Sequence, residues 1–127
     1  MAYAIHKCAG QTLRISKGSE PDRRPRAGKR SCDIAPAFMS VLAKYGLKRE
    51  GRMGYSIGLS SPPDWGERTA SIRTEDATQL KPGMTFHFMP ALWMDTRGLE
   101  TTATILINDT APAKTLCIID RKLFVTS

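Results

Sequence analysis

Few side chains in this 127-residue sequence are equipped for chemistry, and their neighbours say as much as their types. One of two histidines, His87, stands in Met84-Thr85-Phe86-His87-Phe88-Met89. Imidazole exchanges protons near neutrality without needing a perturbed environment. Flanked by two Phe, the same ring also suits a packed core or interface position. Glu100 reads either as a working carboxylate or as an exposed strand residue. Tyr55 and Trp65 lie within Gly54–Glu67, a Gly- and Pro-rich stretch whose Tyr, Ile, Leu and Trp must pack against something. Loops of that kind carry function more often than plain connectors do. Cys8, Cys32 and Cys117 form an odd set without a CxxC pair, so neither a disulfide framework nor a zinc knuckle is expected. Cys117, beside Ile118 and Ile119, reads as a small buried hydrophobe.

The formal charge of +7 is unevenly placed. Residues 1–52 hold 12 Lys and Arg against 4 Asp and Glu, and residues 53–127 hold 7 against 8. The densest part is Arg23-Arg24-Pro25-Arg26-Ala27-Gly28-Lys29-Arg30. Such a run binds nucleic acid by counterion release where it is built for that purpose. Here no aromatics interleave it and no nucleic-acid-binding motif follows, so a solvated basic segment is the expected reading. Residues 1–30 are taken as an irregular basic segment and residues 31–127 as the folded part. No apolar stretch approaches the ~20 residues of a membrane helix, and the N-terminus lacks a signal-peptide apolar region. The sequence therefore predicts a soluble, cytoplasmic chain with no membrane partner.

The elements that must position these residues follow from periodicity. Ile34, Phe38, Val41, Leu42 and Tyr45 recur at spacings of three and four, the stripe of a helix with Asp33 as N-cap and Gly46 as its C′ residue. Pro36 then falls in the first turn. Gly54–Glu67 reads as a structured loop. Leu80-Lys81-Pro82-Gly83 is a turn leading into a strand, with Met84, Phe86 and Phe88 on one face and Thr85, His87 and Met89 on the other. Leu92–Asp95, Glu100–Ile107 and Thr115–Ile119 are further strands, and Asn108–Pro112 is an exit turn. This order predicts an α+β class with an antiparallel sheet.

Gly54-Tyr55-Ser56-Ile57-Gly58-Leu59, Pro62-Pro63-Asp64-Trp65-Gly66-Glu67 and Leu80-Lys81-Pro82-Gly83-Met84-Thr85-Phe86-His87-Phe88 resemble the C-terminal catalytic half of the creatinase/aminopeptidase P/methionine aminopeptidase superfamily. The helix Cys32–Gly46 and the strand after Gly98 fit the same pattern. The resemblance covers roughly residues 31–125, and its nearest branch is ectoine hydrolase. It implies a partial pita-bread fold, a curved antiparallel sheet backed by one main helix, in which two similar halves enclose the site. Only one half is matched here, so a truncated hydrolase with little activity of its own is expected, as is a homodimer. The substrate implied is a small cyclic amidine or a proline-containing molecule.

The metallopeptidase members of this superfamily hold two divalent metals with two Asp, one His and two Glu. Both Asp fall in the unmatched half. The His position carries Tyr55, the Glu preceding a Pro carries Met89, and the closing-strand Glu carries Thr102. Tyr, Met and Thr do not replace those ligands around hard dications. No metal or other cofactor is therefore expected. Creatinase and ectoine hydrolase resemble these enzymes in fold while cleaving C–N bonds without metals, which leaves the work to acid and base groups. On this resemblance, His87 on the hollow-facing strand side is the first catalytic candidate. Glu100, two residues from Thr102 and so on the same strand face, is the second. Tyr55 would donate a hydrogen bond to a substrate carboxylate, and Trp65 would cap a cationic ring. The competing reading is a noncatalytic interaction module that uses the same surface.

Overall fold

The computed structural model describes residues 24–58 and 66–116. Helix α1 (Ser31–Ala43) is followed by strands β1 (Gly54–Ile57), β2 (Gly66–Ser71), β3 (Thr85–Phe88), β4 (Ala91–Met94), β5 (Arg97–Glu100), β6 (Ala103–Leu106) and β7 (Lys114–Thr115). Five strands form one antiparallel sheet in the order β2-β1-β3-β6-β7, while β4 and β5 make a separate two-stranded sheet. The α+β class read from the sequence is what the chain adopts.

Helix α1 begins three residues earlier than expected. Its N-cap is Arg30, and Asp33 sits at N3, where its carboxylate accepts from the Arg30 backbone N–H at 3.2 Å and pairs with the Arg30 guanidinium at 3.1 Å. Asp33 thus still serves an orphan donor at the helix start, reaching back rather than forward. Pro36 is consequently inside the helix, beyond the first turn. The helix ends as predicted: Leu47 N–H donates to the Leu42 carbonyl and Gly46 N–H to that of Ala43, with Gly46 at φ +66°. That bond pair is a Schellman closure, and glycine takes the left-handed position without a Cβ penalty. Because the chain turns there, Tyr45 leaves the apolar stripe and is 48% exposed.

The core lies between α1 and one face of the main sheet. Ile34, Phe38, Val41 and Leu42 pack with Met53, Ile72, Leu80, Phe86, Phe88, Ile105 and Ile107, all buried. Burying side chains of this size contributes about 1.5–3 kcal/mol each before conformational entropy is charged against it. Register explains the sidedness. Gly54 pairs with Phe88 and Ser56 with Phe86, and Phe86 pairs onward with Ile105, so one row after another turns inward. The alternate residues Tyr55, Ile57, Thr85, His87, Thr104 and Leu106 occupy the opposite face and are half-buried.

Two expectations are corrected here. Residues 54–57, read as loop, form a central strand, because small residues at Gly54 and Ser56 let the backbone approach β3. A Cβ on Gly54 would lie 2.7 Å from the His87 carbonyl oxygen. Ser56, buried, shares a 2.9 Å hydrogen bond with the Thr69 hydroxyl. The single strand expected over Glu100–Ile107 is two strands in two sheets. Glu100 ends β5 opposite Ala91, Thr101 N–H donates to the Pro90 carbonyl, and the chain enters β6 at Ala103. The strand expected over Thr115–Ile119 is described only in part, as Lys114–Thr115, and Cys117 lies outside the described residues.

Residues 24–30, assigned by sequence to the basic segment, are irregular in backbone yet bonded to the body. Ala27 N–H donates to Asn108, Gly28 N–H to Leu80 and Leu80 N–H to Lys29, while Pro25 accepts from Ala113. Among the described residues, no helix is long and apolar enough to cross a membrane.

Candidate functional site

The site is built on the two central strands. β1 and β3 place Tyr55 directly opposite His87, and β6 places Thr104 on the far side of His87 in the same cross-strand row. The rings of Tyr55 and His87 meet with centroids 5.3 Å apart and planes tilted by 44°. At this separation the two rings are in the range where aromatic pairs add to the packing energy. Next to this row, the Thr85 hydroxyl donates to the Ile57 carbonyl at 2.7 Å, tying β3 to β1 outside the regular ladder.

Two arginines frame the pair. The Arg52 guanidinium lies over the Tyr55 ring, its carbon 4.4 Å from the ring centroid. Arg49 is half-buried and donates through Nη1 to the carbonyls of Met89 and Ala91 and through Nη2 to that of Arg52 at 2.7 Å. One side chain thereby fastens the segment before β1 to the bend between β3 and β4. Burial pushes the Arg49 guanidinium below its ordinary value, and the charge of Glu100 acts in the opposite direction.

These positions divide the residues singled out in the sequence. Tyr55 and His87 come together. Glu100 does not join them: it is exposed, stands in the β4–β5 sheet, and acts electrostatically on Arg49. The inference that Glu100 and Thr102 share a strand face is corrected, since β5 ends at Glu100 and Thr102 lies in the connection to β6. Trp65 lies outside the described residues. Arg49 and Arg52 were not singled out. Arg52, three residues ahead of Tyr55, carries no strand or helix signal, because it lies between the turn at Gly51, φ +88°, and the start of β1 at Gly54.

Among the described residues, the positions that the resemblance assigns to metal ligands do not carry donors suited to a pair of hard divalent cations. Tyr55 presents a phenol, Met89 a thioether, and Thr102 a hydroxyl in an exposed connection. Among the described residues, no three His, Cys, Asp or Glu side chains cluster in a way that would hold a metal ion.

Comparison with known proteins gives this geometry its context. The sequence pattern of metallopeptidase family M24 matches residues 23–110. Ectoine hydrolase of Halomonas elongata is 54% identical over 101 residues, 79% of this chain and 25% of that protein. An uncharacterized hydrolase/peptidase of Sinorhizobium fredii is 43% identical over 77 residues, 61% of this chain and 20% of its own. The chain thus spans a quarter or less of the length of these relatives. Among solved structures, the X-Pro aminopeptidase of Thermotoga maritima superposes with a TM-score of 0.79 at 14% identity, covering 98% of this chain and 33% of that one. The prolidase of Pyrococcus horikoshii gives 0.75 at 20% identity, covering 94% and 32%. The structural likeness carries the pita-bread fold, and the sequence match carries the lineage. A helix-backed antiparallel sheet, the motifs on its two central strands and the match across residues 23–110 together place this chain in metallopeptidase family M24, within the creatinase/aminopeptidase superfamily, with an ectoine hydrolase-like sequence.

Proposed function

We propose that this chain supplies one wall of a C–N bond hydrolase site of the ectoine hydrolase kind, in which His87 moves the proton and Tyr55 orients the substrate. The observation that carries the reading is the Tyr55–His87 pair on the face of the central strands opposite the α1-packed core, with ring centroids 5.3 Å apart. A cyclic amidine carbon is electrophilic, and its hydrolysis adds water across one C–N bond. In this scheme the water oxygen bonds to the amidine carbon as the C=N electron pair moves to nitrogen, one water proton passes through the imidazole to that nitrogen, and the remaining hydroxyl proton follows the same route as the carbonyl forms and the C–N bond breaks. Positioning accounts for much of such a rate, and a hollow needs more than one wall. Activity therefore depends on further surface, from elsewhere in the polypeptide or from a second copy of the chain, and is low in residues 24–116 alone.

The test is ectoine turnover by the purified protein, followed by loss of the cyclic amidine. Turnover reduced about 100-fold or more in His87→Ala supports the assignment, and Tyr55→Phe, which keeps the ring contact and removes the hydroxyl, raises KM. Turnover unchanged in His87→Ala sinks it. Glu100 enters as a carboxylate acting through Arg49, and Glu100→Gln is expected to change the rate less than His87→Ala. A noncatalytic dimerisation module is the second reading, supported by the aliphatic row of Ile57 and Leu106 on the same sheet face. A compact homodimer without turnover, weakened by Ile57→Asp, is its signature.

A further inference from the structure

We infer that Arg52 is the carboxylate-recognising group of the Tyr55–His87 site, so that the ligand taken there bears a carboxylate. The inference rests on the hydrolase reading above and names the part of the substrate that this surface would hold.

The backbone around Arg52 is fixed while its side chain is left open. Met53, next in sequence, is fully buried, donates its N–H to the Ile72 carbonyl and accepts from Met89 N–H. The Arg52 carbonyl is held by Arg49. Gly51, at φ +88°, makes the turn that brings Arg52 to the start of β1. The Arg52 side chain is exposed, and its guanidinium carbon lies over the Tyr55 ring, 4.4 Å from the centroid. A guanidinium held over a ring by its carbon still has five N–H donors, and its exposure here leaves donors open to solvent. Those groups match the two oxygens of a carboxylate as a fork, which a single ammonium does not do. Among the described residues no Asp or Glu pairs with Arg52, whereas Arg30 and Arg73 each have an acidic partner nearby. A cation whose backbone is hydrogen-bonded at Arg52 and Met53, over the ring that touches His87, is arranged to receive an anion beside the proton-transfer group.

The experiment measures affinity, independently of turnover. Ectoine, a cyclic amidine with one carboxylate, and its primary carboxamide, which keeps the ring and removes the negative charge, are titrated into the protein by calorimetry at low salt. Binding of ectoine about tenfold or more tighter than the carboxamide is expected, from the ordinary strength of a charge-assisted hydrogen bond. That preference is expected to vanish in Arg52→Gln and to survive in part in Arg52→Lys, with unchanged circular dichroism in both. Equal affinity for the two compounds, a preference that persists in Arg52→Gln, or binding of neither compound overturns the inference. A carboxylate preference lost in Arg52→Gln without any ectoine hydrolysis upholds Arg52 and removes the hydrolase reading. Hydrolysis with unaltered KM in Arg52→Gln does the reverse.

Discussion

Gly54→Ala tests the central claim about the site, that Tyr55 and His87 meet because β1 lies unusually close to β3. A Cβ at position 54 would stand 2.7 Å from the His87 carbonyl oxygen and 3.3 Å from both Phe88 Cα and Ile72 Cδ1. The first two are backbone atoms of β3, itself paired with β6, so the contact is not relieved by turning a side chain. Inserting one carbon into such packing costs about 1–3 kcal/mol. Replacing glycine by alanine returns about 0.5–1 kcal/mol by narrowing the unfolded ensemble. The net expectation is a loss of about 1–2 kcal/mol, which lowers the melting temperature by roughly 3–10 °C in a domain of this size. Thermal unfolding by circular dichroism measures that, and the ring resonances of Tyr55 and His87 report the displaced strands. Gly51 provides the control, because its φ is +88° and nothing lies within 4 Å of its virtual Cβ. There the penalty is conformational, and Asn, which tolerates the left-handed region, is expected to be milder than Ala. At Gly54, where the obstacle is volume, Asn is expected to be worse than Ala. A Gly54→Ala protein as stable as the parent, with both rings unshifted, would refute the close-approach argument.

Other substitutions probe separate parts of the frame. Leu42→Ala removes a fully buried side chain from the face of α1 that packs on the sheet, and urea denaturation is expected to show a loss of about 2–5 kcal/mol. Arg49→Met strips the carbonyls of Met89, Ala91 and Arg52 of a shared donor. A loss of about 1–3 kcal/mol is expected, with faster hydrogen exchange near Met89, and Arg49→Lys restores little because one ammonium does not span the three oxygens. Asp76 is expected to contribute to acid sensitivity. Burial acts to raise its carboxyl pKa, but donation from the backbone N–H groups of Thr78 at 2.8 Å and Ser71 at 2.6 Å, with the charge of Arg73, outweighs it and holds the group below the ordinary range. The resulting stability is fully present above the unfolded-state value of about 3.9 and is lost as pH falls through the lower folded-state value. Asp76→Ala is therefore expected to reduce stability at neutral pH and to flatten that part of the acid unfolding curve; an acid limb identical to the parent's would show that other carboxylates set it.

What was legible in the sequence was whatever one element determines by itself. The stripe Ile34, Phe38, Val41 and Leu42 and the Gly46 terminator are local, and the structure keeps them. So is the alternation that separates Phe86 and Phe88 from His87. The misses share a different cause. Gly54–Ile57 has poor strand propensity, and its strand exists because β3 on one side and β2 on the other supply ladder partners that no local window contains. Glu100 was placed beside Thr102 by counting two residues along a strand. That count holds only while the strand is unbroken, and the chain changes sheets at Thr101. Arg52 escaped notice because it precedes the strand, where periodicity assigns no face.

The same alternation bears on how a lineage exchanges its chemistry without losing its fold. In β1 and β3 the inward residues Gly54, Ser56, Phe86 and Phe88 fix the packing against Ile105 and the helix, while Tyr55 and His87 turn the other way and contribute no side chain to that core. A substitution on the outward face therefore meets few of the volume constraints that the core imposes. If the resemblance aligns Tyr55 with a histidine ligand and Met89 with a carboxylate, such exchanges would alter metal coordination while leaving every inward contact available. Replacement is constrained instead by the neighbours on that face, and here the phenol ring at 55 has acquired both an imidazole at 5.3 Å and a guanidinium at 4.4 Å. If the outward face is free to vary, Tyr55→His together with Met89→Glu leaves the melting temperature within a few degrees of the parent, since no core volume changes. A cooperative collapse of the double variant would show that the Tyr55 ring, in contact with both His87 and Arg52, had become part of what holds β1 in the sheet.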